Sequence, residues 1–536
     1  MTMQTPGTGS PDMPLPTVRQ QLLARLAQPV HYDLAIIGGG ATGLGVALDA
    51  AARGLRVVLL ESHDFAKGTS SRATKLVHGG VRYLAQGNIS LVREALHERS
   101  NLLHNAPHLA QPLPFVMPAY RWWEVPFYGI GLKLYDLLAG KAGLGSTEFL
   151  SRGETLQLLP TAQPAGLSGG VKYWDGQFDD ARLALALART AAAQSALLVN
   201  YCPATELLHE GGKLVGLHCK DVETEQTYTV HASCVINAAG VWVDEFRQKD
   251  GQAIGRAVSP MVAPSQGVHL VVERRFFPGD HALLVPKTAD GRVLFAVPWL
   301  GHVILGTTDT PRHDLAREPQ AFEEEINFIL SEAARYLVNA PLRADVKSIW
   351  VGLRPLVKPQ HDDGDNTKGL SREHTVLISR SGLVTVTGGK WTTYRAMAED
   401  VMAQCVHAGL LQGVRDGVTA DFLLVGAGMT AMPRQPISAP AGLQGYGSEQ
   451  FAVQSLPGAQ NQLGAGLSEA MVRFAVRHEY ARTVEDVLAR RSRVLFLDAR
   501  LAQQMAPAVA AILRQETGID PQLPDFLQLA QHYLLA

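Results

Sequence analysis

Apolar positions along this chain change period several times, and each change predicts an element. Leu34-Ala35-Ile36-Ile37 is an unbroken apolar run, read as a buried parallel strand; residues 41–53 follow helical spacing, Gly54 stops the helix, and residues 56–60 form a second strand ending on Glu61. Leu91, Ala95, Leu96, Leu102 and Leu103 recur at helical spacing across 89–104. Residues 169–178 predict a strand, followed by an alanine- and leucine-rich helix that Asp179 or Asp180 would cap. Alternating segments at 213–220 and 227–230, with Glu210-Gly211-Gly212 as a turn signal, predict a β-meander leading to an apolar strand that ends in Ala238-Ala239-Gly240. More alternation at 267–272, 283–285, 293–297 and 303–305 predicts a β-rich region, with Asp290-Gly291 as a hairpin turn. A helix is expected over 319–337, a mostly apolar segment over 348–356 and a strand over 383–387. The turn Gly388-Gly389 then leads into a helix opening at Lys390, and helical spacing returns from Leu467.

This pattern divides the chain into a disordered leader and short helix (1–30), an α/β region with an interleaved β-rich substrate domain (31–410), a Gly-, Pro- and Gln-rich linker (411–465) and a C-terminal helical cap (466–536). Hydrophobic content of 46% and charged content of 18% describe an ordinary globular protein, and a net charge of −2 argues against nucleic acid as a partner. The four cysteines show no zinc or C-x-x-C spacing and are read as reduced, mostly buried thiols of a cytoplasmic protein. No metal site is expected: His97, His104 and His108 lack carboxylates at ligand spacing, and the acidic loop 361–368 lacks the calcium-loop pattern. No apolar run is long enough for a transmembrane helix. Residues 120–138 place Phe127, Ile130, Leu134, Leu137 and Leu138 on one helical face among Trp122, Trp123, Tyr128 and Tyr135, which fits either a packed core helix or a helix on a bilayer surface. The arginines Arg490 and Arg491 read as part of an ordinary charged helical face, balanced by Glu479, Glu485 and Asp486.

The chemistry concentrates where the first strand meets the first helix. Gly38, Gly40 and Gly43 have the G-x-G-x-x-G spacing that lets backbone N–H groups approach a pyrophosphate, and Glu61, closing the next strand, is the expected ribose partner. That signature alone leaves FAD and NAD unseparated. The continuation from Gly68 to Tyr83 crowds Thr69, Ser70, Ser71, Lys75, His78, Gly79, Gly80 and Arg82 into one loop, which suits a flavin and, through Arg82, an anionic substrate. Ala239-Gly240 would approach the same dinucleotide, as would Gly389, Lys390 and Thr392. Arg354, closing an apolar segment, needs an anion, either a protein carboxylate or a substrate phosphate.

The segment from Gly68 to Tyr83 resembles that of the FAD-dependent glycerol-3-phosphate dehydrogenases, membrane-associated flavoenzymes of the D-amino-acid-oxidase-like group, and matching motifs continue in order to about residue 499. The resemblance runs closest to mitochondrial-type members, without their calcium-binding extension. It implies a Rossmann-like FAD-binding fold, non-covalent FAD, and oxidation of sn-glycerol 3-phosphate to dihydroxyacetone phosphate with electrons passed to membrane quinone at the inner face of the cell membrane. It turns His269 from a core histidine into the proposed base, with His78 as rival, gives Arg82 and Arg354 to the phosphate, and gives Lys390 either to the reduced flavin or to substrate. An oxidase using oxygen, an amino- or hydroxy-acid oxidase and a flavin-containing redox-sensing subunit are the alternatives. A homodimer is left open.

Overall fold

The computed structural model describes residues 14–80, 88–288, 293–358, 373–428 and 434–535; Arg82, the turn Asp290-Gly291 and the acidic loop 361–368 lie outside them. The first apolar run sits in the strand His31–Ile37, paired in parallel with Val57–Leu60 on one side and Thr227–Asn237 on the other. Both flanks and the overlying helix exclude water, which is why this strand is continuously apolar instead of alternating. The sheet runs in the order Leu197–Val199, Val57–Leu60, His31–Ile37, Thr227–Asn237, Leu383–Gly388, His374–Ile378. Helix Ala41–Ala52 packs between Asp180–Ala193 and Tyr394–His407. Asp179 is the cap of Asp180–Ala193, its carboxylate accepting from Arg182 N at 3.3 Å, which leaves Asp180 to a different task.

The two segments expected around 227–230 and 234–238 are one strand, Thr227–Asn237, that changes partners. Its first half alternates exposed and buried beside antiparallel Lys213–Lys220, and from Cys234 onward every residue is buried among parallel neighbours. A second sheet of ten strands among the described residues gathers Ala110–Ala119, Gly169–Phe178, Val262–Glu273 and Ser348–Val357. The helix expected from residue 319 begins only at Glu323, because Glu325 turns inward to accept from Thr308 (2.7 Å), Thr310 (2.6 Å) and Phe322 N (3.0 Å). Residues 312–322 are thereby left as a loop. The described residues of the expected linker 411–465 pack against the rest of the chain, with Leu411, Leu424, Tyr446 and Val453 buried.

Two surface readings change: one left open is narrowed, and the other is corrected. Helix Glu124–Ala139 buries Gly129, Leu132, Tyr135 and Ala139, whereas the packed-core reading would bury the opposite face. That face is open: Trp122, Phe127, Ile130 and Leu137 are 81, 64, 69 and 77% exposed. The correction concerns Arg490 and Arg491, which are buried and both bind the buried Asp64 at the end of the first βαβ unit. Arg490 also pairs with Glu485 (2.6 Å) and Asp486 (2.8 Å), Glu485 with Lys67 (2.6 Å), Lys67 with Glu318 (3.1 Å), and Glu318 with Arg72 (2.7 Å). Burial alone would raise these carboxyl groups; the arginines and lysine beside Asp64 and Glu485 more than offset it and hold both below the usual carboxylate range. The four cysteines are buried thiols, with Cys234 and Cys405 Sγ atoms 3.8 Å apart.

Because Asp64 is the one carboxylate paired with the desolvated Arg491 among the described residues, while Arg490 keeps Glu485 and Asp486, Asp64→Ala strands a buried cation, at a cost of about 3–5 kcal/mol. Its first urea transition is expected at clearly lower concentration. Arg514→Ala, which loses only an exposed pair to Asp520 at 3.8 Å, should leave the midpoint in place.

Candidate functional site

The glycine motif makes a cradle that side chains would fill. A Cβ on Gly43 would lie 2.0 Å from the Gly38 carbonyl oxygen, so helix and strand approach this closely only with glycine; Gly38 itself has φ +108°. Ser70, from the following loop, caps the helix through Ala41 N at 2.9 Å, and a Cβ on Gly40 would stand 3.0 Å from its Oγ. Glu61 is locked at the strand end by Gly39 N (2.6 Å), His63 N (2.9 Å) and the Ser62 hydroxyl (3.0 Å). These groups open onto a cavity of about 1310 Å³, larger than the roughly 300–1,000 Å³ of common small-molecule pockets, and so roomy enough for a dinucleotide and a second ligand.

Most of the expected residues meet on its wall. Gly38, Gly40, Glu61, Thr69, Ser70, His78, Gly80, Ala239 and Gly240 line it together with His269, Arg354, Gly389, Lys390 and Thr392. Lys390 leads into the turn Trp391–Thr393 and helix Tyr394–His407, so a cation and a helix N-terminus enter the cavity from one point. Trp391 Nε1 donates to Ser70 O at 2.8 Å and Thr69 Oγ1 to Leu353 O at 2.6 Å, tying the loop to both sheets.

Four expected contacts do not reach the wall. Gly43 serves helix packing, and Ser71 is buried, its carbonyl accepting from Lys75 Nζ (2.8 Å) and Arg493 (2.7 Å). Gly79 donates to Tyr135 Oη at 2.9 Å, and a Cβ there would stand 2.4 Å from that oxygen. Lys75 lies beneath the loop on Asp180 (2.7 Å) and 4.5 Å from the centre of the Trp350 ring. Burial pushes its pKa down to about 7 against the pull of Asp180. The placement has a physical cause: Asp180, freed from capping, is a buried carboxylate that must be neutralised.

His269 is 2% exposed, stacks on Trp350 with centroids 4.0 Å apart, and has Nε2 3.0 Å from the Thr74 hydroxyl. Burial first, then the charges of Lys75 and Arg354, hold it well below its ordinary 6.5, so the imidazole is neutral at pH 7. A neutral imidazole can take a proton. Arg354 donates to Gln266 O (3.0 Å) and Thr308 O (2.8 Å) and lies 3.2 Å from Asp309, which fixes the guanidinium plane. Sequence reasoning did not single out Thr74, Asp175, Trp242 or Arg317, all on the wall. Thr74 sat inside the loop from Gly68 to Tyr83; Asp175, Trp242 and Arg317 carried no signal of their own.

Comparison with known proteins agrees with this construction. Residues 33–395 match the family model "FAD dependent oxidoreductase" and residues 418–523 match "C-terminal domain of alpha-glycerophosphate oxidase". The chain is 41% identical to the mitochondrial glycerol-3-phosphate dehydrogenases of Mus musculus and Homo sapiens, over 94% of its length and 72% and 73% of theirs. A mitochondrial glycerol-3-phosphate dehydrogenase of Arabidopsis thaliana is 38% identical over 98% of this chain and 90% of its own. The solved glycerol-3-phosphate dehydrogenase of Bacillus halodurans, complexed with FAD, superposes with TM-score 0.75 at 30% identity, covering 96% of this chain and 97% of that one.

Gly43→Ala is expected to yield folded protein with less than about a tenth of the wild-type flavin absorbance per chain, because relieving the 2.0 Å contact separates helix from strand at the cradle. A fully loaded variant would show that the close approach is not what shapes the cradle.

Proposed function

Since the chain belongs to the family of FAD-dependent glycerol-3-phosphate dehydrogenases, with FAD as cofactor, we propose that it oxidises sn-glycerol 3-phosphate to dihydroxyacetone phosphate and hands the electrons to membrane quinone. One observation supports this most: the dinucleotide cradle shares its cavity with a neutral histidine and a fixed arginine. Bound FAD supplies the acceptor for the hydride leaving C2. His269 takes the proton of the C2 hydroxyl, oriented by Thr74 on Nε2 and by the Trp350 ring. Arg354 holds the substrate phosphate, competing with Asp309 for its charge, and Arg82 is proposed as the second phosphate cation. Lys390 and the helix behind it place positive charge where electron density accumulates.

Membrane attachment rests on the helix Glu124–Ala139. Its open stripe carries Phe127, Ile130, Leu134 and Leu137 with Trp122 at its start and Lys133 alongside, the composition that suits a headgroup boundary. Among the described residues no helix is long and apolar enough to cross a membrane; attachment through this face is proposed as peripheral, at the inner face of the cell membrane. Phe127, Tyr128, Ile130 and Leu134 also line the cavity, which gives a lipid-soluble acceptor an apolar approach.

Anaerobic mixing with sn-glycerol 3-phosphate should bleach the flavin. Arg354→Ala should weaken substrate affinity more than about tenfold, and His269→Asn should slow bleaching about 10²–10⁴-fold with affinity nearly unchanged. No bleaching of loaded wild type would refute the substrate. Rapid recolouring by air alone, without quinone, would favour the oxidase alternative. Separately, Trp122→Glu with Leu137→Glu, both exposed and off the cavity wall, should release the protein from anionic vesicles in a flotation assay while leaving anaerobic bleaching intact; retention on vesicles would exclude this face as the attachment site.

A further inference from the structure

The loop 312–322, left outside the helix by the inward turn of Glu325, contributes Arg317 to the cavity wall. Three of its residues anchor it there. Arg312 donates to Gln266 Oε1 at 2.7 Å, Trp242 Nε1 donates to Leu315 O at 3.1 Å, and Glu318 binds Lys67 (3.1 Å), Arg72 (2.7 Å) and Tyr533 Oη (3.2 Å). Between the last two anchors lies Arg317, whose guanidinium carbon is 3.7 Å from the centre of the Trp242 ring. Trp242 in turn is fixed from below, since a Cβ on Gly68 would touch its ring at 3.1 Å.

Arg317 is on the wall beside Glu61, and Glu61 and Glu245 are the carboxylates that act on it. Among the described residues it forms neither a hydrogen bond nor an ion pair. The cations around it differ: Lys67 and Arg72 are each committed to a carboxylate. An arginine seated on an aromatic face keeps its N–H donors directed sideways, in the plane of the guanidinium, where they can fork onto an anion. The cradle itself offers a pyrophosphate neutral donors, the backbone N–H groups and the hydroxyls of Thr42 and Ser70, while two carboxylates, Glu61 and Glu245, share the cavity wall. A bound dinucleotide at Glu61 therefore lacks a countercharge that Arg317 is positioned to give.

We propose that Arg317, held on Trp242, is the cation that closes over the pyrophosphate of FAD on its adenosine side, making the loop 312–322 a strap that retains the cofactor. The proposal rests on the FAD assignment and adds to it a residue whose task is retention, separate from the oxidation of substrate. Its charge would also screen the phosphates from Glu61 and Glu245. Glu318, next in sequence, would link the strap to the C-terminal domain through Lys67 and Glu485.

The test uses holoenzyme and the deflavinated protein made from it. FAD release on dilution is followed by flavin fluorescence, and equilibrium binding of FAD, ADP and riboflavin is measured for wild type, Arg317→Gln, Arg317→Lys and Trp242→Phe. Arg317→Gln should weaken FAD and ADP by about 10–100-fold and leave riboflavin, which has no pyrophosphate, within about twofold. The salt dependence of FAD binding should become shallower, and Arg317→Lys should recover part of the loss. At saturating FAD the KM for sn-glycerol 3-phosphate should be unchanged. Unaltered FAD affinity in Arg317→Gln, or an equal loss of riboflavin, would overturn the proposal while wild-type FAD binding stands. Wild-type protein that fails to rebind FAD would instead remove the cofactor assignment on which the proposal depends.

Discussion

One buried carboxylate governs the site. Asp180, at the start of a helix under the first sheet, is cut off from water and accepts from Lys75 Nζ, Arg493 and the backbone of Ala73 and Ala181. A desolvated carboxylate missing a partner is strongly unfavourable, so the partners arrive together or the fold does not close. They come from three parts of the chain: the loop after the second strand, the helix itself and the C-terminal domain. The flavin-side loop thus takes its shape only when the helical domain is docked. That is a reason for residues beyond 480 to matter to a cavity they do not line.

A second set of charges makes the same join further along. Asp64 with Arg490 and Arg491, and Lys67 with Glu485 and Glu318, tie the loop to the helical domain and to the strap over the rim. Buried ion pairs seldom add much net stability over apolar packing of the same shape, but they penalise wrong registers heavily. The apolar contact between the second sheet and the helical domain, through Trp299, Trp350 and Phe496, provides the burial, while the ion pairs select its register.

The sequence was most legible where local periodicity carried the information. Leu34 to Ile37, the glycine spacing and Glu61 all act within thirty residues of each other, and the dinucleotide cradle could be placed from them. His269, Arg354 and Lys390 required the order of motifs along the chain as well. What failed was pairing at long range: Arg490 finds Asp64 across 426 positions, and no charge pattern near Arg490 announces a partner that distant. Lys75 was assigned to the cofactor because its neighbours face it, yet a positive φ at this residue turns the chain and its ammonium goes to Asp180. The helix Glu124–Ala139 has apolar residues on two faces, and periodicity cannot say which one finds a neighbour. Arg317 was invisible because its meaning comes from Trp242, 75 positions earlier in the chain and adjacent only in space.

The charges around His269 give the proposed chemistry an internal logic. Two cations, Lys75 and Arg354, face an imidazole that is buried and neutral, which makes it a poor base before a substrate anion adds to Asp309 at Arg354. A dianionic phosphate arriving at Arg354 would cancel that repulsion and raise the proton affinity of the ring at the moment a hydroxyl is delivered to it. Lys75 stays off the cavity wall, held by Asp180, so at a given pH the change on substrate binding comes from Arg354. On this mechanism the phosphate is more than a handle: an uncharged polyol of the same shape would meet a base still suppressed by both cations. Discrimination would then fall on the proton-transfer step as well as on binding, which is where binding energy raises turnover rather than only affinity.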